Sequence, residues 1–257
     1  MPKKILTTVG ILLLLITIAI GVNTFVTRNN KKELIPPVPA ASAIEKADSI
    51  PVFDKTQLSI TDPSSFWIVV NKHRALNPIA YVPVDLAVPN VAVRDPGKDT
   101  MQLRKAAAEA LKTMSDAAKT DGLSLMLFSG YRSYQYQTGV YNTYVSRIGS
   151  TETDKVSARP GYSEHQTGLA ADVEPASGKC TLDVCFADLP EGIWIASNAY
   201  KYGFIIRYPK DKTPVTGYSY EPWHLRFVGT DLSNEMHSKS ITTLEEFFDF
   251  PPAPDYQ

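Results

Sequence analysis

The chain has 257 residues, enough for one substantial domain with accessory segments, and 44% of them are apolar and 21% charged, as in an ordinary globular protein. Its net charge of −1, with no basic stripe interleaved with aromatics, excludes an electrostatic footprint for nucleic acid. Two cysteines and four histidines are few enough that each can be placed individually.

From Ile5 to Val26 the chain carries no charge, and Lys3 and Lys4 precede the run. At about 1.5 Å per residue such a helix spans a hydrocarbon core of roughly 30 Å. The run is longer than the roughly 7–15 apolar residues of a cleavable leader, and no small-residue cleavage site follows it. An uncleaved anchor over residues 1–27 is the favoured reading, with a cleaved leader as the alternative. Arg28, Lys31 and Lys32 on the far side balance Lys3 and Lys4, so charge alone gives no orientation. Residues 28–50 mix charge, proline and small side chains and read as a linker to a domain over 51–250. Residues 251–257 form a Pro-rich tail.

FWIVVNKHRAL (66–76) reads as a strand or a buried lead-in segment, and the proline-spaced stretch 81–93 cannot be continuous regular structure. A helix is predicted from Asp99 to Asp121. Asp99 is its cap, Leu103, Ala107, Leu111, Met114 and Ala118 form one apolar face, and Gly122 is its stop. LSLMLF (123–128) reads as a buried strand leading into SGYRSYQYQ, and a second helix is predicted over 133–148. The five tyrosines from Tyr131 to Tyr144 are assigned to helix packing rather than to a sugar platform. A polar loop over 150–164 precedes the strand GLAADV, and Glu174 just beyond it is assigned to the surface. Cys180 and Cys185 enclose TLDV. So close a pair suits a small disulfide in an oxidising compartment, against the alternative of two free thiols, and is a poor structural zinc site. A helix over 191–202 and strands over 203–208 and 223–228 complete the domain. Strands and helices do not alternate regularly, so the class is α+β rather than doubly wound.

Two segments carry chemistry. SEHQTGLAADV (163–173) places His165 seven residues before Asp172, and EPWH (221–224) places Glu221 three before His224. Along a straight strand His165 and Asp172 would face opposite ways, so the chain must bend, and Thr167–Gly168 is where it can. Pro222 disfavours helix at Glu221, so Glu221 and His224 are not a helical pair. His165, Asp172 and His224 offer three N/O ligands with one position open, as hydrolytic zinc requires, and Glu221 remains as a carboxylate free to move protons. His73 and His237 have no matching partners and read as structural or exposed.

The patterns S-x-H-x2-G-x-A-x-D (Ser163, His165, Gly168, Ala170, Asp172) and E-x-W-H (Glu221, Trp223, His224) resemble those of the VanY-type zinc D-alanyl-D-alanine carboxypeptidases, which include related L,D-carboxypeptidases and D-Ala-D-Ala dipeptidases. SGYRSYQYQ, and VNKHRAL followed by Tyr81, Pro83, Asp85 and Leu86, resemble further elements of that family in the same order over residues 66–230. CTLDVC has no counterpart in the pattern. The resemblance implies a single α+β domain, hedgehog-like, with a central, mainly antiparallel sheet flanked by helices. It implies one Zn2+ held by His165, Asp172 and His224, with Glu221 as general base and acid. Arg132 would stabilise the oxyanion, Ser163 and Gln137 would contact the peptide, and Trp223 would pack beside the metal. The expected activity is removal of the C-terminal D-alanine from peptidoglycan stem peptides (D,D-carboxypeptidase). The alternatives are L,D-cleavage of tetrapeptide stems and a catalytically silent wall-binding module. The expected place is the cell membrane, single-pass, with the catalytic domain outside the cytoplasm.

Overall fold

The computed structural model describes residues 52–257, so the predicted anchor and the 28–50 linker lie outside the described residues. Among the described residues no helix is long and apolar enough to cross a membrane. Five strands form the main sheet: β2 (Ala92–Val93), β4 (Leu125–Ser129), β5 (Ala170–Pro175), β7 (Glu221–Phe227) and β6 (Phe204–Tyr208), in that spatial order. Only β2 and β4 pair in parallel; the other pairs are antiparallel. A separate two-stranded piece joins β1 (Leu86–Ala87) to β3 (Leu103–Arg104). The helices are α1 (Lys105–Thr120), α2 (Tyr134–Ile148), α3 (Ser150–Thr153), α4 (Pro190–Asn198), α5 (Thr213–Thr216), α6 (Thr230–Ser238) and α7 (Leu244–Phe247).

The apolar face of α1 forms as its spacing predicts. Leu103, Ala107, Leu111, Met114 and Ala118 are all buried against Leu127, Leu169, Val173 and Phe204 of the sheet region. Trimming Leu111 to alanine would cost about 2–5 kcal/mol. The helix starts six residues later than its sequence indicates, at Lys105, and Asp99 caps nothing. The cause is competition for the backbone: Leu103–Arg104 pairs with Leu86–Ala87, and the Gln102 carbonyl accepts the Tyr131 N–H at 2.6 Å. The 66–76 segment is a buried lead-in outside the sheet, with Trp67, Val69 and Val70 almost inaccessible and one isolated bridge between Asn71 and Arg74.

On the opposite side, Trp67, Val69, Val228, Leu232, Met236, Leu244 and Phe247 form a second apolar cluster beneath α6 and α7. The Pro-rich tail is part of the folded unit, which continues to Gln257. Ala253 is buried, the Pro254 carbonyl accepts from Lys72 Nζ at 2.8 Å, and the Tyr256 hydroxyl accepts the Arg159 N–H at 2.8 Å.

Two sequence-based assignments change. Glu174 is fully buried, paired with Arg94 at 2.9 Å and bonded by the Thr181 hydroxyl. It lies on β5, an interior strand covered on both faces, so the surface assignment fails. Helix α2 buries only Gln137, while Tyr136 and Tyr144 stand exposed beside a groove. Polar residues interrupt any apolar stripe on α2, and it holds its neighbour instead by a 2.8 Å hydrogen bond from Tyr141 to Asp154. Packing therefore does not account for Tyr136 and Tyr144, whereas Tyr131 is buried as expected.

Candidate metal centre

Strand β4 delivers the chain to Gly130, where a side chain would meet the Gln102 carbonyl oxygen at 2.2 Å. Only glycine permits that approach. It brings the Gly130 carbonyl 2.6 Å from His165 Nδ1. Since a carbonyl only accepts, Nδ1 carries the proton and Nε2 is left with its lone pair. His165 itself lies in a 3-10 turn, Glu164–Thr167, closed by Gly168 at φ +68°, which is the bend that the spacing demands. The turn rotates His165 to the same side as Asp172, and Asp172 sits directly across from His224 in the β5–β7 register.

The result is a tight cluster. His165, Asp172 and His224 each offer a ligand atom within 4.8 Å of the others, and all three residues are buried. His165 Nε2 lies 3.2 Å from Asp172 Oδ2, and His224 Nδ1 lies 3.1 Å from Asp172 Oδ1. The rings meet edge to face at 89°, with centroids 4.9 Å apart. His165 Nε2 and Asp172 Oδ1 are buried with no hydrogen-bond partner. Orphaned acceptors of this kind are costly unless something fills the space between them. Two imidazoles and a carboxylate are a donor set that suits zinc, so the residues fit the ion.

Without the ion the electrostatics are polarised. Burial, reinforced by Arg132, pushes the His165 imidazole down to about 4. Burial also opposes charge on His224, but the carboxylates of Asp172 and Glu164 prevail and raise it to about 9. Asp172 is held well below its usual range: burial would raise it, and His165 and His224 outweigh that. A metal needs both imidazoles neutral, so binding must displace the proton that these carboxylates hold on His224.

Glu221 stands 3.6 Å from His224 Nδ1. Burial pushes its carboxyl up to about 7, with His224 and Arg132 pulling the other way and Asp172 adding to the rise. Arg132, on the turn after β4, donates from Nη2 to Asp172 Oδ2 at 3.2 Å and from Nη1 to Gln137 Oε1 at 3.4 Å. Gln137 is 1% exposed, and its amide nitrogen donates to the Ala158 carbonyl at 2.8 Å. Its amide nitrogen is thus committed to the backbone, while its Oε1 faces Arg132 and the residue lines the inner cavity of the site. Ser163 is also buried and lines a small inner cavity with Arg132, Glu221 and His224.

Outside the cluster a groove of about 640 Å³ runs past Arg132, Asp172, Glu221 and Trp223. Tyr136 and Tyr144 form one wall, and Leu182 and Val184 of the Cys180–Cys185 loop form part of the lining. The two cysteines are joined by a disulfide, with Cα atoms 5.6 Å apart. Thr181 bonds Glu174, which anchors the loop to β5. His73 and His237 lie away from the centre: His73 Nε2 contacts the Asp255 carbonyl, and His237 stacks on Tyr200.

A family model described as VanY, D-alanyl-D-alanine carboxypeptidase, matches residues 100–230. The chain belongs to this family. Among its curated relatives, the putative carboxypeptidase YodJ of Bacillus subtilis (strain 168) is 45% identical over 192 residues, covering 74% of this chain and 70% of the relative. Among solved structures, the LdcB LD-carboxypeptidase superposes with a TM-score of 0.69 at 45% identity, over 73% of this chain and 87% of that one. The vancomycin-resistance D,D-pentapeptidase VanY, solved with Zn(II), gives 0.58 at 28% identity, over 70% and 97%. The family is one of zinc metallopeptidases, and this member is a carboxypeptidase acting on peptidoglycan or D-Ala-D-Ala substrates.

The sequence offered the ligands and Glu221 but not the charged network behind them. Glu164, Arg207, Arg226 and Glu245 are all fully buried. Arg207 donates to Glu164 at 2.8 Å and to Glu245 at 2.7 and 2.9 Å, and Arg226 donates to Glu164 at 2.5 Å. The signal was one arginine inside each of two apolar strands, GFIIRY and WHLRFV, since a lone buried charge demands a partner.

Proposed function

We propose that this protein is a zinc-dependent carboxypeptidase that removes the C-terminal D-alanine from peptidoglycan stem peptides. The observation that carries the reading is the buried His165–Asp172–His224 cluster, with an unligated Glu221 beside it at the mouth of the groove. Zinc held by those three residues would supply Lewis acidity and make water a nucleophile at neutral pH. Glu221 takes a proton from the attacking water and returns it to the leaving amine, a role open to a carboxylate that stands beside the cluster without belonging to the ligand set. Arg132 presents a guanidinium beside Asp172, where it holds the developing oxyanion. Gln137 fixes that guanidinium, and Trp223 closes the groove beside Glu221.

The D,D reading takes a pentapeptide stem ending in two D-alanines. A second reading, L,D-cleavage of a tetrapeptide stem, is favoured by the greater likeness to LdcB than to VanY. A silent wall-binding module is disfavoured because every residue of the cluster is retained together with Glu221. For location, the uncharged run over 5–26 supports a membrane tether, and the disulfide supports an oxidising compartment. Purified domain incubated with defined pentapeptide and tetrapeptide muropeptides, with and without chelator, tests the reading. Free D-alanine should appear from one of them and vanish on chelation. Absence of release from both with zinc present would refute it.

A further inference from the structure

Glu164 stands one residue before a metal ligand, and the scheme above gives it no task. Its Oε1 is committed to Arg207 Nε and Arg226 Nη1. Its Oε2 is buried with no hydrogen-bond partner, and His224 Nε2, 3.6 Å away, is buried with none either. The rest of the cluster is fully paired. Both oxygens of Glu245 accept from Arg207, one of them also from Asn71, and Arg226 spends further donors on the carbonyls of Phe66 and Ile68. A cluster serving the fold alone would have no reason to leave one carboxylate oxygen unpaired and aimed at a ligand ring. At 3.6 Å the contact is wider than a hydrogen bond, and a small tilt of the ring closes it without costing either atom another partner.

We propose that Glu164 is a positioning residue for His224. By accepting the Nε2–H it fixes the tautomer whose free lone pair is on Nδ1, the nitrogen that faces Asp172 and Glu221. Arg207 and Arg226 clamp the carboxylate so that only Oε2 can turn to the ring. The two histidine ligands are thus set by different devices: the Gly130 carbonyl leaves His165 to bind through Nε2, and Glu164 leaves His224 to bind through Nδ1. This inference rests on the zinc assignment and adds a role that the assignment does not require.

The test uses Glu164→Gln. Its amide oxygen would be held by the arginines, and its NH2 would then face His224 Nε2 and impose the opposite tautomer. Zinc affinity, read by chelator competition on folded protein, should fall about 10- to 100-fold. Leu111→Ala, in the α1 core and outside this cluster, should lower thermal stability and leave zinc affinity within about twofold. If Glu164→Gln does not fold, 15N-histidine NMR of the unmutated zinc-loaded protein decides. A protonated Nε2 and a metal-bound Nδ1 on His224 support the role, and binding through Nε2 overturns it. A folded Glu164→Gln protein with unchanged affinity also overturns it, leaving the zinc site standing. Unmutated protein that takes up no zinc would overturn the metal reading, and this inference with it.

Discussion

Replacing Glu221 by glutamine separates proton transfer from metal binding, and the structure fixes what each readout should show. The substitution preserves volume beside His224 and leaves the His165, Asp172 and His224 side chains in place. Zinc content should stay at one per chain. Turnover should fall about 10²- to 10⁴-fold, or roughly 3–5 kcal/mol of barrier, with little change in KM. A third readout needs no substrate. In metal-free protein the Glu221 carboxyl is raised from 4.5 to about 7, chiefly by burial, which disfavours the anion by roughly 3 kcal/mol. A raised carboxyl contributes stability that is complete below 4.5 and is lost as pH rises through about 7. Glutamine does not titrate. Chelated Glu221→Gln should therefore match the unmutated protein in acid and exceed it by roughly 3 kcal/mol above neutrality, measured by urea denaturation across pH. Loss of zinc from the variant would make Glu221 a ligand, and retained turnover would remove it from the mechanism. Either result would refute the assignment.

Alanine at His165 or at His224 should each abolish stoichiometric zinc in metal analysis, and full occupancy in both would sink the ligand set. Glu245 should make the fold acid-sensitive. Burial would raise its carboxyl, but Arg207 outweighs burial and holds it below 4.5, so its stabilisation is present above that value and lost as pH falls through the depressed one. The melting temperature of the unmutated protein should drop below about pH 4.5, and Glu245→Gln should flatten that drop. Labelling of protein recovered from cells should find no free thiol, because Cys180 and Cys185 are paired; two labelled cysteines would count against both the pair and an oxidising location. Protease added to intact, wall-stripped cells should degrade the domain, whereas protection until the membrane is broken would overturn the extracytoplasmic proposal.

Much of the fold was legible where one physical signal dominated. The apolar stripe of α1 and the short apolar runs of β4, β5, β6 and β7 carry the core, and each appears close to its expected place. Errors occur where tertiary contacts compete with local preference. Asp99 looks like a cap, but the backbone after it is claimed by β1 and by Tyr131. Glu174 looks like a surface residue because charge seldom lies inside. Its burial depends on Arg94, 80 positions away in the chain, which no local pattern can supply. Aromatics usually bury, which points the α2 tyrosines to packing; in the fold Tyr141 instead holds Asp154 by a hydrogen bond, and Tyr136 and Tyr144 line the groove.

The metal cluster was legible for a different reason: its ligands are set by backbone geometry. Gly168 permits the left-handed turn that brings His165 round, and the β5–β7 register sets Asp172 against His224. Both devices leave marks in sequence, a glycine after the histidine and an apolar strand after each ligand segment. Strand irregularities complete the site. The β4–β5 pairing shifts between Leu127 and Ser129, and the β6–β7 pairing shifts between Ile206 and Tyr208. An extra residue in a strand changes which face the following side chains take. The first shift falls just before Gly130 and Arg132, and the second falls where Tyr208 pairs with Glu221. Strict alternation would therefore misplace the residues that follow the first shift, whereas the second sets four steps on β7 against two on β6 and leaves Glu221 on the face that alternation assigns, as Asp172 and His224 are inside the regular β5–β7 ladder. The same distinction hides Glu164, since its partner Arg207 sits on β6 between those irregular pairs and its partner Arg226 on the regular ladder. The network joins a turn to two strands, so no single segment of sequence contains it.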